Sequence, residues 1–392
     1  MAGSYRCVMN TSYHVFVSAY DAVLIKEDDE DAVLIKWSPS GTLLWNRSWG
    51  GAGQDSFSGV WGDGAGNIFT CGETTSFGAL NFAAILVKWY ANGTKAWNMT
   101  YDTSTMDTAT SLWGDSLGNI FTYGTKSIVI GTNYDGLLIK WNMTGNVLWT
   151  RRWGNSGEDY GYDLWIDEND SIYTASSSES AMGMAWQAVI TKWTWTESAL
   201  WNVSWGNSGI DEPYSILGDN NGNLFMTGYT ENASSNLDNM FLAKYASNGT
   251  KLWDTTWGST GWDYGATLCI AGGTLYVAGK TETLGTNPND IFLHEYSIAS
   301  MARTAGQTWG TIGTDQIPTG RSIAVAAGGF LYFVATVPVP ANGNDLALVR
   351  FKPAPGTTQS TVPGFPVEVL FISVVVGVAA GIVPLLKWKR FQ

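Results

Sequence analysis

The sequence predicts an all-β fold: a seven-bladed β-propeller of four-stranded repeats about 52 residues long, followed by one C-terminal transmembrane helix. Several motifs share a single period. Each period divides into four short strands separated by turn residues. After residue 351 the composition changes, first to a Pro-rich stretch and then to a continuous apolar run.

The period is read from four registers. Apolar-Lys-Trp occurs at Ile35-Lys36-Trp37, Val87-Lys88-Trp89 and Ile139-Lys140-Trp141, with looser copies closing at Trp193, Tyr245, Tyr296 and Phe351. The first four intervals between these aromatics are 52 residues each. Trp45, Trp97, Trp149, Trp201 and Trp253 keep the same spacing. Trp-Gly-x-x-Gly-x-Asp recurs and ends at Asp55, Asp159, Asp211, Asp263 and Asp315, with a degenerate copy ending at Asp107. Gly-Asn-Ile-Phe-Thr stands at 66–70 and 118–122 and weakens at 222–226. A shared period over some 300 residues marks a repeat architecture.

Within one unit the strands are a, 58–62; b, 67–71; c, 83–89; and d, 95–99. Asp63-Gly64-Ala65-Gly66 and Ala91-Asn92-Gly93 supply turn chemistry between them. Strand c is apolar on both faces, as in a sheet covered on both sides. Strand c occurs seven times. Strand b also does, counting 15–18 first and 330–334 last. Strand a occurs six times, with 5–8 as a weak seventh, and strand d six times. The last blade is therefore expected to be completed by an N-terminal strand that precedes this chain, or else to have three strands. Residues 21–26 and 31–36 both read Asp-Ala-Val-Leu-Ile-Lys. The second copy is in register, so the first is expected to lengthen a loop, with Glu27-Asp28-Asp29-Glu30 as a solvated acidic run.

The succession Trp-Gly-x-x-Gly-x-Asp, Asp-x-x-Gly-Asn-apolar-aromatic, Gly and Asp-apolar-Lys resembles the SBBP repeat of seven-bladed beta-propellers. The match runs over 4–351, best at 49–72 and 205–228 and poorest at 166–176 and 297–308. The resemblance implies a propeller on a secreted or surface protein and no reaction.

The domain organisation follows: a propeller over 1–351, a Pro-rich linker over 352–366, a membrane-crossing segment over 367–386 with a single charge, and a basic tail over 387–392. Lys387, Lys389 and Arg390 place the tail inside and the propeller outside the cell membrane. Val362-Pro363-Gly364-Phe365, the apolar run and the basic end resemble the archaeal PGF-type sorting tail. That resemblance implies removal of the segment and attachment of lipid. Residues 1–20 lack a signal peptide, so export implies a later start than the native one.

Composition excludes many functions. A net charge of −13 disfavours a nucleic-acid partner, and two His with three Cys leave little for zinc or a disulfide framework. No nucleophile motif or phosphate loop occurs, so the chain is expected to be non-catalytic and without cofactor. The recurrent Asp55, Asp107, Asp159, Asp211, Asp263 and Asp315 are expected to cap backbone N–H groups, with calcium as the sharper alternative. The Trp series is expected to pack between blades.

Sequons at Asn10, Asn46, Asn92, Asn98, Asn142, Asn169, Asn202, Asn232 and Asn248 are candidate glycosylation sites of an extracellular protein. In a–b–c–d blades the d→a and b→c connections share one face. Its longer loops nominate Phe77, Tyr134, Trp186 and Tyr229 as a partner-binding face for a surface protein or glycan. Gly-x-x-Leu-Trp at 41–45, 145–149 and 249–253 distantly resembles the docking repeats of quinoprotein dehydrogenases, which implies pyrroloquinoline quinone. That enzyme and a structural surface-layer component are the alternatives.

Overall fold

The computed structural model describes residues 15–17, 22–28, 31–38, 43–129, 132–179, 185–194, 198–206, 209–219, 221–232, 237–258, 261–282, 290–309, 323–326, 330–339, 343–351, 368–371 and 389–390. Among these residues the strands form seven antiparallel sheets, each with consecutive strands as neighbours. The second sheet shows the plan: a, Asp55–Gly62; b, Ile68–Thr74; c, Ala83–Trp89; d, Lys95–Tyr101. Strands b and c are almost wholly buried, whereas d is partly exposed along its length and forms the outer edge.

The a strands are Val15–Val17, Asp55–Gly62, Ser111–Gly114, Asp159–Ile166, Asp211–Gly218, Tyr264–Ala271 and Ile323–Ala326. Each touches the next, and Ile323–Ala326 touches Val15–Val17, so the inner strands close a ring. Apolar residues fill the gaps between neighbouring sheets instead of one central core. Phe57, Val60 and Ile68 pack with Ala32 and Leu34 of the first sheet, and Phe241 and Ala243 with Ala188 and Ile190 of the fourth. Burial of this kind is the main stabilising term.

The repeated motifs have specific tasks in this arrangement. The strand-c Trp donates its indole N–H to a strand-b threonine: Trp89 to Thr70 at 3.1 Å, Trp141 to Thr122 at 3.0 Å and Trp193 to Thr174 at 3.0 Å. The preceding Lys lies over the strand-b aromatic, as Lys140 over Phe121 at 4.8 Å and Lys192 over Tyr173 at 4.9 Å. Its ammonium also reaches the following sheet: Lys36 donates to the carbonyl of Ala91 at 3.3 Å, and Lys244 to that of Ile298 at 3.1 Å. One residue thus ties two blades. The Trp series divides. Trp49, Trp205 and Trp257 pack on Phe57, Phe241 and Phe292 of the following sheet, while Trp97, Trp149 and Trp201 cover aromatics of their own sheet.

Two expectations change. In the first sheet Val15–Val17 is strand a, and the 21–26 copy is not a loop: Ala22–Asp28 is strand b, paired with Asp31–Trp37 through Leu24↔Ile35 and Asp28↔Asp31. The duplicated apolar run supplies a hairpin partner in matching register, and its acidic residues end the strand at the tip. Residues 5–8 and 29–30 lie outside the described residues. In the last sheet, Glu368–Phe371 pairs antiparallel with Gly343–Phe351, Val349 opposite Val369. These four residues fall within the expected membrane segment but take the strand-d place. The open edge of Gly343–Phe351 carries backbone N–H and C=O groups that need partners, and a short apolar run provides them. Lys389–Arg390 pairs with Glu368 and Val369. The remainder of that segment, the linker with its Pro-Gly-Phe, and most of the basic tail lie outside the described residues. Among the described residues no helix is long and apolar enough to cross a membrane.

Candidate binding site

The site begins at the start of each a strand. Asp55, Asp159 and Asp211 are the first residues of their strands, Asp263 immediately precedes one, Asp107 bridges Lys126, and all five are buried. One carboxylate oxygen accepts the N–H of the residue four earlier: Gly51, Thr103 and Asn155, each at 2.8 Å. Asp55 also accepts from Thr74 and Ser76, Asp107 pairs with Lys126, and Asp263 accepts from Thr281 and from the N–H of Glu282. The carboxylates of Asp55, Asp107 and Asp159 therefore pin the connection into their own blades. Asp315 lies outside the described residues. Among the described residues no group of three or more His, Cys, Asp or Glu is placed to hold a metal ion.

The next residues alternate. In Asp159–Ile166 and Asp211–Gly218 the second and fourth positions, Tyr160, Tyr162, Glu212 and Tyr214, are half-buried between fully buried neighbours. Pairing with strand b skips one residue at the fourth position: Ser58, Tyr162, Tyr214 and Ala266. Such a bulge re-aims the side chain it carries. The glycine opposite makes room for it: a Cβ on Gly228 would fall 1.9 Å from the carbonyl oxygen of Glu212. In the second to fifth sheets the repeated frame therefore leaves two variable side chains half-buried, and in the sixth only Tyr264, since Ala266 is buried. In the second and third sheets these are the small Ser56, Ser58, Thr108 and Thr110. In the next three they are mainly aromatic.

Two connected ring assemblies result. Tyr160 is sandwiched between Tyr134 at 5.2 Å and Trp186 at 5.4 Å, both stacked. Tyr214 meets Tyr162, Tyr229 and Tyr264, each with centroids 5.7 Å apart. Glu212 lies opposite Tyr229 in the a–b ladder, and the hydroxyls of Tyr162 and Tyr229 favour its charged form. Burial holds its carboxyl above the usual range, against the pull of these two hydroxyls. The strands that carry the two assemblies, Asp159–Ile166 and Asp211–Gly218, lie in contact. Around them lie Glu158, bonded to the Tyr160 hydroxyl at 2.9 Å, and Asp238, pushed up to about 6 by burial and by Glu231. Lys280 sits 5.9 Å from the Tyr264 ring and pairs with Glu282 at 3.2 Å.

Of the nominated face residues, Tyr134 and Trp186 meet through Tyr160, and Tyr229 joins the Glu212 cluster. Phe77 stands apart: it is 60% exposed, has a positive φ of 54°, and packs on Trp49 at 5.2 Å. Tyr160, Tyr162, Glu212, Tyr214 and Tyr264 escaped the sequence reading. Their signal was there, at the first and third residues after the recurrent Asp55, Asp107, Asp159 and Asp211, where the repeated frame carries Ser, Thr, Tyr or Glu by turns, and at Tyr264 after Asp263. Among the sequons, Asn46, Asn92, Asn169, Asn202 and Asn248 are exposed, and Asn98 and Asn142 are half-buried. Asn10 and the Asn232 side chain lie outside the described residues.

Comparison with solved structures bears on the architecture. The chain superposes on the WD40 domain of Neurospora crassa Pan2 with a TM-score of 0.55 at 8% identity, covering 82% of this chain and 86% of that one. It superposes on the beta-propeller domain of the Trilobed protease from Pyrococcus furiosus, described as having an open velcro topology, with a TM-score of 0.50 at 8% identity, covering 86% and 95%.

The fold is a β-propeller.

An uncharacterized WD repeat-containing protein of Acanthamoeba polyphaga mimivirus is 25% identical over 176 residues, covering 35% of this chain and 13% of that protein. The chain thus spans only a small part of this relative. No protein-family model matches the chain.

Proposed function

We propose that this propeller is a non-catalytic, seven-bladed binding module of SBBP type, displayed on the outside of the cell and glycosylated there. It holds a protein or glycan partner on the face formed by the third to sixth blades. The observation that carries this reading is the pair of ring assemblies, Tyr134, Tyr160 and Trp186 in one and Tyr162, Tyr214, Tyr229 and Tyr264 in the other, on adjoining blades. It occupies the positions that the repeat leaves free to vary. Half-buried aromatic side chains on a rigid frame lose little entropy on binding and are common anchors of interfaces. No cofactor takes part. Attachment is through the C-terminal segment, as a membrane helix formed in place of the Glu368–Phe371 strand or, after sorting, through lipid.

Peptide and glycan arrays probed with the purified chain test the reading. Ligands retained by the wild type are expected to be lost by Tyr214→Ala and Trp186→Ala and kept by Phe77→Ala. Retention by all three variants alike would overturn it. Surface exposure is read by protease treatment of intact cells: propeller peptides are released if the module is outside, and protected until lysis if it is not.

A further inference from the structure

We infer that the cluster of Tyr162, Tyr214, Tyr229 and Tyr264 around Glu212 receives an alkylammonium group, the side chain of a lysine, free or methylated, on a partner protein. The inference rests on the binding-module reading above and narrows it. Three observations support a cation over a neutral sugar or an anion.

The first is an unbalanced charge. Glu212 is half-buried, yet among the described residues no Lys or Arg forms an ion pair with it; across the a–b ladder it faces the neutral phenol of Tyr229. A carboxylate withdrawn from water and faced by a neutral phenol is incompletely compensated, and an incoming cation completes it. The second is ring chemistry. Three aromatic rings surround Tyr214 at 5.7 Å each, and the electron-rich faces of such rings attract ammonium groups. The protein already uses this contact internally: Lys280 lies over the Tyr264 ring, and Lys88, Lys140, Lys192 and Lys244 lie over strand-b aromatics. The third is the setting. Glu158, Glu179, Glu231 and Asp238 stand at the same ends of the neighbouring strands, and the nearby Lys280 is paired with Glu282. The local field favours a positive ligand, in a chain of net charge −13.

The test uses the full chain and two probes of equal shape: Nα-acetyl-Nε-trimethyl-lysine amide and its neutral isostere with carbon in place of the quaternary nitrogen. Binding is followed by calorimetry, together with unmodified Nα-acetyl-lysine amide. The expected result is saturable binding of the ammonium probes, at least tenfold weaker binding of the neutral isostere, and at least a tenfold loss in Glu212→Gln. Tyr264→Leu supplies a second variant with the same expected loss should Glu212→Gln fail to fold. Equal binding of charged and neutral probes would overturn the inference. So would no binding of either ammonium probe at millimolar concentration, or full retention in a folded Glu212→Gln. In each of those cases array binding that still depends on Tyr214 and Trp186 would leave the module reading standing, so the two failures are distinguishable.

Discussion

His294 shows how one side chain is held neutral by its surroundings. It occupies strand c of the sixth sheet, where the ring is buried against Trp257 at 4.5 Å and Phe292 at 4.6 Å, with Arg303 at 3.4 Å from Nε2. Burial, and secondarily Arg303, lower its pKa to about 3. The folded chain therefore resists a proton that the unfolded chain accepts near 6.5. Stability from this residue is full above pH 6.5 and is lost as pH falls, down to about 3. Between pH 7 and pH 5 the loss amounts to about 2 kcal/mol. In denaturant titrations the wild type should lose that much more than His294→Phe over this interval. The variant keeps the same raised carboxylates, such as Asp238, so their opposite contribution cancels in the comparison. Equal losses would show that His294 is solvated.

At the scale of the strand, most of the organisation was legible before any coordinates. The period located strands b and c because Lys, Trp, Phe and Thr each perform a contact that every blade must repeat. Trp141 and Thr122 are one such pair, both buried, with the indole N–H 3.0 Å from the hydroxyl. Thr122→Val keeps the shape and orphans the donor. It should cost about 1–3 kcal/mol, read as a lower unfolding midpoint. A midpoint within a few tenths of a kcal/mol would mean that another group accepts the bond. The bulge at the fourth residue of strand a was not legible, since an unpaired residue leaves no periodic mark. Tyr162 and Tyr214 owe their position to it, and so the centre of the proposed site was absent from the sequence candidates, whereas Tyr134, Trp186 and Tyr229, which the structure brings against those rings, were among them. The first sheet misled for a related reason: two identical apolar runs compete for one register, and the pairing of both with each other is decided by tertiary context.

At the scale of the molecule, two structures compete for the C-terminal segment. If Glu368–Phe371 fills the fourth place in the last sheet, residues 372–386 remain for a membrane helix. At 1.5 Å per residue these 15 residues span about 22 Å, short of the ~30 Å apolar core of a bilayer. Strand and membrane helix therefore exclude each other in one molecule. Composition alone favoured the helix, because hydropathy does not register an open sheet edge. A chain ending at Phe351 should melt below the full-length protein, with a loss of about 1–2 kcal/mol for the ladder bonds of one short strand. An unchanged midpoint would assign 368–386 to the membrane and leave the last blade to close in another way.

The central claim is that the propeller binds through the aromatic face around Glu212. The measurement that tests it most directly is a calorimetric titration of one array-identified ligand against the wild type and against the Tyr214→Ala/Trp186→Ala double variant, with melting curves for both. The account predicts at least a tenfold weaker dissociation constant for the double variant while it still melts cooperatively. Equal affinity in a folded double variant would contradict it.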